Sequence, residues 1–82
     1  MYNVEVHITL KKTVADPQGL TIKHALESLG FKEVAEVRIG KLITIRVDVN
    51  TEADLTQKLN QMCTKLLANP IIEDYSFNYK EV

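Results

Sequence analysis

The chain opens on a strict alternation, with Tyr2, Val4, Val6, Ile8 and Leu10 on one parity and Asn3, Glu5, His7 and Thr9 on the other. A half-buried strand has this period of two, so a first strand is expected over residues 2–10. A polar stretch from Lys11 to Thr13 follows. Asp16-Pro17 then offers an N-cap acceptor and a proline at the first helical position, where its missing N–H costs nothing. Ile22, Ala25, Leu26 and Leu29 recur at helical spacing, and Gly30 stands where a left-handed cap closes a helix. The spacing predicts a helix from Pro17 to Leu29.

Between Val34 and Val49 the odd positions Ala35, Val37, Ile39, Ile43, Ile45, Val47 and Val49 are apolar, and Glu36, Arg38, Thr44, Arg46 and Asp48 hold even ones. The same parity continues across Gly40-Lys41. A two-residue hairpin there would turn Ile43, Ile45 and Val47 to the face opposite Val37 and Ile39, against the pattern. Two readings stay open. One is a single long strand bent at a glycine bulge, which we prefer, and the other a three-residue hairpin in which Ile39 faces Ile43.

Thr51 can cap a second helix, with Asp54 three residues on as a weaker form of the capping box. Leu55, Leu59, Met62 and Leu66, flanked by Cys63 and Leu67, give that helix a broad apolar stripe, and Asn69-Pro70 stops it. The last segment alternates again, Ile71, Tyr75, Phe77 and Tyr79 against Asp74, Ser76, Asn78 and Lys80. It is expected as a closing strand. The order β-α-β-α-β over residues 1–82 describes one α+β domain, a two-layer relative of the ferredoxin-like folds with two helices on one face of an antiparallel sheet.

Composition narrows the function classes. Charged residues make up 26% of the chain, the formal net charge is −1, and Lys and Arg are scattered. No basic stripe gathers the field that nucleic-acid binding needs, so nucleic acid is not expected as a partner. No apolar run is long enough for a membrane span and the first residues do not form a signal peptide, so no membrane partner is expected and a reduced, cytoplasmic setting is. Cys63 is the only cysteine and His7 and His24 the only histidines, which leaves neither a disulfide nor a metal cage to support the fold. At 82 residues, one core stabilises by about 3–5 kcal/mol, and association with other copies is the remaining common support.

Candidate chemistry is sparse. His7 shares a sheet face with Glu5, an arrangement ordinary on a solvated strand, with no nucleophile or metal site beside it. His24 reads as a structural helix residue. Cys63, among Leu59, Met62, Leu66 and Leu67, reads as a core thiol and not a nucleophile. Arg38-Ile39-Gly40-Lys41 lacks the several glycines and the following helix of a phosphate loop, and reads as a bend with two solvated bases. Tyr75, Phe77 and Tyr79 form an aromatic row suited to packing on helices or on another subunit. No catalytic residue, cofactor or metal site is expected on this chain.

Read together, YNVEVHITL over residues 2–10, Asp16-Pro17-Gln18-Gly19, His24-Ala25-Leu26, Leu29-Gly30-Phe31, Val37-Arg38-Ile39-Gly40-Lys41, Met62-Cys63 and the run from Leu66 to Tyr75 resemble the PurS family, the small subunit of phosphoribosylformylglycinamidine (FGAM) synthase. The resemblance covers the whole chain. Thr13, where a glycine is frequent, and Ile43-Thr44-Ile45-Arg46, where acidic residues are commoner, depart from it. It implies a non-catalytic subunit of a three-component, ATP-dependent, glutamine-hydrolysing ligase of de novo purine synthesis. The partners it implies are a large synthetase subunit and a glutaminase subunit, with this chain needed for their assembly and for ammonia transfer, and a homodimer or homotetramer. It also implies partner or self contacts near Arg38, Gly40, Lys41, Asp16 and Gln18, with Arg38 and Lys41 foremost because their charge can meet an acidic patch. The reading from another class is a stand-alone small-molecule sensor domain. Such modules bind a ligand alone and are usually fused to an effector, whereas nothing is expected to follow Val82. An enzyme with His7 as base is a distant third, and full complementing activity in His7→Ala would remove it.

Overall fold

A computed structural model describes all 82 residues. Strand β1 is Tyr2–Leu10, helix α1 is Pro17–Ser28, strand β2 is Gly40–Val47, helix α2 is Glu52–Met62, and strand β3 is Glu73–Glu81. The strands form one antiparallel sheet in the order β2-β1-β3. The α+β class, the element order and the antiparallel sheet are those the patterning predicts.

β1 takes the centre because its apolar parity is the most complete. Tyr2, Val4, Val6 and Ile8 are each 4% exposed or less, while Asn3, Glu5, His7 and Thr9 face solvent. The register puts like with like: Val4 lies between Ile45 and Tyr79, and Val6 between Ile43 and Phe77. Slipping either neighbour by one residue would exchange these rows for polar ones, so the pattern itself holds the register. Tyr2 meets Tyr79 edge to face, with ring centroids 5.8 Å apart.

Thr51 caps α2 through its hydroxyl, which accepts from the Asp54 N–H at 3.2 Å. Leu55, Leu59 and Cys63, four apart on one face of the helix, are fully buried against β1. Of the expected stripe Leu55, Leu59, Met62 and Leu66, flanked by Cys63 and Leu67, all belong to or pack on the core except Leu66, which is 83% exposed. Residues Cys63–Leu67 form a π-helical turn in which the Ala68 N–H reaches the Cys63 carbonyl at 2.9 Å, and the wider turn swings Leu66 outward. Asn69-Pro70 ends the helical run as expected. Tyr75 ties β3 to α2 by donating to Asn60 Oδ1 at 2.8 Å.

The middle segment corrects the sequence reading. Neither a long strand over 34–49 nor a hairpin forms; residues 34–39 are irregular and β2 begins at Gly40. The reason is pairing. Gly40 stands opposite Thr9, one residue short of the end of β1, so Ala35 to Ile39 have no strand beside them to bond. The Ile39 N–H turns instead to the Asp16 carboxylate, 2.7 Å away.

Eleven of the 82 residues are buried, and α1 contributes only Gly19 to them, so the core belongs to the sheet and α2. α1 itself is well formed. Gly30 has φ 100°, and the Phe31 and Gly30 N–H groups return to the Leu26 and Glu27 carbonyls, the paired closure expected of a glycine at that place. Yet Ile22 is 41% and Leu29 74% exposed. The chain is 50 × 28 × 14 Å, and a nine-residue strand of about 30 Å laid end to end with a 12-residue helix of about 18 Å accounts for the long axis. α1 extends the sheet rather than lying over it.

Candidate functional site

The joint between the sheet and α1 is tied by three long-range side-chain hydrogen bonds. Asp16 is its centre. Its Oδ1 accepts from the Gly19 N–H at 2.9 Å, capping α1, and its Oδ2 accepts from the Ile39 N–H at 2.7 Å, which joins segments 23 residues apart. These two amides, helped by the nearby Arg38 guanidinium, hold the Asp16 carboxyl below the usual aspartate value. It is a fixed anion.

Arg38 closes the other side of the joint. Its Nη2 donates to the Val14 carbonyl at 2.7 Å and the Lys11 carbonyl at 3.0 Å, so the guanidinium binds the loop between β1 and α1. Gly19 brings the two backbones together: a Cβ there would sit 2.1 Å from the Val37 carbonyl oxygen. Gly40 is tight as well, though less so, with a Cβ position 2.7 Å from the Ile8 carbonyl oxygen.

Asp16, Gln18, Gly40 and Lys41, four of the five sequence candidates, line one shallow depression of about 180 Å³ at this joint, with Glu73 on its far wall. Arg38 does not line it and lies behind the helix start. Lys41 Nζ stands 3.7 Å from Glu73 Oε2 with its side chain 66% exposed, leaving that ammonium open to a further carboxylate. Glu73 was not among the candidates. Its Oε1 accepts from the Asn69 N–H at 2.7 Å, and its one sequence sign was its place in the run Asn69 to Tyr75. Gly19 was also missed as a site residue, although it closes Asp16-Pro17-Gln18-Gly19.

The remaining candidates lie apart. His7 is exposed on the open sheet face between Leu42 and Ser76, and His24 is exposed on α1. Cys63 is fully buried, and burial pushes its thiol above the usual value. No three His, Cys, Asp or Glu side chains converge as metal ligands, and no helix is long and apolar enough to cross a membrane. What the joint can do chemically is orient: it sets the direction of α1 with an ionised carboxylate and a guanidinium, and presents one exposed ammonium.

Residues 3–81 match the model of a family described as PurS: phosphoribosylformylglycinamidine (FGAM) synthase. The chain belongs to the PurS family. The PurS subunit of Bacillus subtilis FGAM synthase is 45% identical over 82 residues, covering all of this chain and 96% of the relative. The solved PurS of Methanocaldococcus jannaschii superposes with a TM-score of 0.88 at 44% identity, covering 100% of this chain and 99% of that one. A chain of the PurLQS structure from Thermotoga maritima also gives a TM-score of 0.88, at 25% identity and with 96% of each chain covered. PurS membership extends across the entire fold, the joint included.

Proposed function

We propose that this chain is the non-catalytic small subunit of a three-component FGAM synthase. That complex turns formylglycinamide ribonucleotide, ATP and glutamine into formylglycinamidine ribonucleotide in purine synthesis. The large synthetase subunit activates the substrate amide with ATP, the glutaminase subunit releases ammonia, and this chain holds the two in the arrangement that passes ammonia between them. It acts in the cytoplasm as a homodimer or a homotetramer of two such pairs.

The observation that carries this reading is the relation to PurS subunits over the full chain, including a relative within a PurLQS structure. The geometry supports it. The strongest polar groups, Asp16 and Arg38, are engaged in holding backbone, while large apolar side chains such as Leu29, Leu66 and Ile71 stand exposed at 74%, 83% and 81%. Such a surface suits a chain whose work is contact. Lys41, at the mouth of the depression, is the side chain we assign to a partner's carboxylate.

The test is FGAM formation by the cognate synthetase and glutaminase, with and without this chain, using glutamine and then ammonium as nitrogen donor. A coupling subunit restores glutamine-dependent turnover and changes ammonium-dependent turnover little. Equal rates with and without the chain for both donors would reject the proposal.

A further inference from the structure

α2 covers one face of the sheet, and the other face is open. The side chains of the open face stand in rows set by the register. Asn3 of β1 lies between Arg46 of β2 and Lys80 of β3, and the next row is Thr44, Glu5 and Asn78. These six residues, all exposed, line a shallow depression of about 550 Å³. Arg46 Nε donates to Asn3 Oδ1 at 3.1 Å, which draws the guanidinium toward the central strand. That bond occupies the Asn3 acceptor and leaves its amide NH2 group as a donor. Arg46 and Lys80 enter no ion pair within the chain. Their Cα atoms are two strand spacings apart, about 10 Å, so both heads reach a group held above Asn3. The row offers donors to a partner, two of them charged.

Shape and charge indicate what docks here. A site for a small ligand buries most of the ligand's surface. A shallow depression on an open sheet does not, and suits a broader macromolecular surface. The charge calls for carboxylates, which a guanidinium binds through paired N–H groups. A second copy of this chain does not supply them, because a two-fold contact centred on this row sets Arg46 and Lys80 against the same cations. The row is also remote from Lys41. Lys41 pairs with Ile8, five residues along β1 from Asn3 and about 17 Å away, and its side chain shares the parity of Ile43 on the other face. The chain thus has two cationic points on opposite faces, and a protein that holds two others needs two separate surfaces.

We propose that the open sheet face, at the row Arg46-Asn3-Lys80, is the docking surface for an acidic segment of one of the two partner subunits, the one that does not meet Lys41. Carboxylates of that segment meet the Arg46 guanidinium and the Lys80 ammonium. Glu5, one row on and without an ion pair of its own, repels a misplaced acidic group and so fixes the register. Charges on such an exposed face set orientation and association rate, and their effect falls with salt. This inference names a surface for the coupling role of the proposed function and rests on that reading.

The experiment immobilises the full chain and applies the cognate synthetase and glutaminase separately, at low and at high salt. A face variant carrying Arg46→Glu and Lys80→Glu is compared with the parent. The control carries Lys12→Glu and Lys32→Glu, the same charge change at exposed sites off the face. Expected for the face variant alone is a loss of at least tenfold in affinity for one partner, with the other bound as by the parent. The parent's affinity for the affected partner drops as salt rises and the variant's does not. In glutamine-dependent turnover, the face variant needs at least tenfold more chain for half-maximal rate. Circular dichroism and light scattering are expected to match the parent in fold and self-association. Unchanged binding of both partners, equal weakening of both, the same loss in the control, or altered self-association overturns the proposed face, and the parent's own turnover then keeps the coupling reading. A parent chain that captures neither partner and leaves glutamine-dependent turnover unchanged overturns the coupling reading and this inference with it.

Discussion

Replacing a helical glycine by alanine ordinarily stabilises by up to about 1 kcal/mol, and at Gly19 the structure predicts the opposite sign. The added Cβ would lie 2.1 Å from the Val37 carbonyl oxygen, 3.0 Å from the Val37 carbonyl carbon and 3.2 Å from the Asp16 Cγ. Ordinary contact is near 3.5 Å, so helix and segment must part by roughly 1 Å. That movement carries the Ile39 N–H, now 2.7 Å from Asp16 Oδ2, to the edge of hydrogen-bonding distance. Overpacking costs about 1–3 kcal/mol, and the upper end applies because both sides are backbone with no rotamer to yield. Set against the helical gain, Gly19→Ala should lose about 2 kcal/mol, or roughly 8–16 °C in Tm for a domain of this size.

Thermal unfolding followed by circular dichroism at one fixed chain concentration reads this directly, the concentration being held because association shifts Tm. Thr21→Ala, exposed one half-turn on, supplies the control and should melt at or slightly above the parent. A Gly19→Ala chain melting at or above the parent would refute the close approach of α1 to Val37, and with it the rigid joint.

Three further outcomes follow from the same contacts. Because Asp16 titrates below its ordinary value, its contribution is complete above that value and is lost as pH falls through the lower folded one; Asp16→Asn should therefore melt lower at neutral pH, with the gap closing on acidification. Leu59→Ala, at a fully buried site, should cost about 2–5 kcal/mol in urea unfolding with the m-value unchanged. Cys63 should resist a thiol reagent at neutral pH in the native chain and react fully once denatured; rapid native labelling would contradict its burial.

The parts of the fold legible in the sequence are those whose cause is local. The parity of Tyr2 to Ile8 is a statement about one strand, and Asp16-Pro17 and Gly30 bound α1 by chemistry confined to its two ends. The start of β2 was not legible, because alternation reports which way side chains point and says nothing of whether a neighbouring strand is present. Val37 and Ile39 keep the parity of Ile43 and Ile45 but lie past the reach of β1. Leu66 alone leaves the expected α2 stripe, for a related reason: a π-turn after Met62 changes the spacing that fixed-period reasoning assumes. At the joint, the family resemblance named Arg38, Gly40, Lys41, Asp16 and Gln18 as contact candidates, and four of them, all but Arg38, line one depression. That Arg38 spends its charge on the Lys11 and Val14 carbonyls depends on a fold-over of 24 to 27 residues and left no local sign.

The same distinction governs α1. A helical apolar period states that a face will be covered, and the sequence reading placed that cover on the chain's own sheet because the sheet was the one apolar surface in view. The joint forbids this. Asp16 fixes the helix start to Ile39, Arg38 fixes the preceding loop, and Gly19 leaves no slack between them, so α1 points past the end of the strands. Held in that direction, the helix forgoes the burial its own sheet offers, a loss an 82-residue domain with eleven buried residues can ill sustain alone. A rigid device of this kind gives up intramolecular burial for a fixed direction of the helix. The polar joint and the uncovered stripe are therefore one feature, and substitutions that loosen the joint should lower the melting temperature of the single chain.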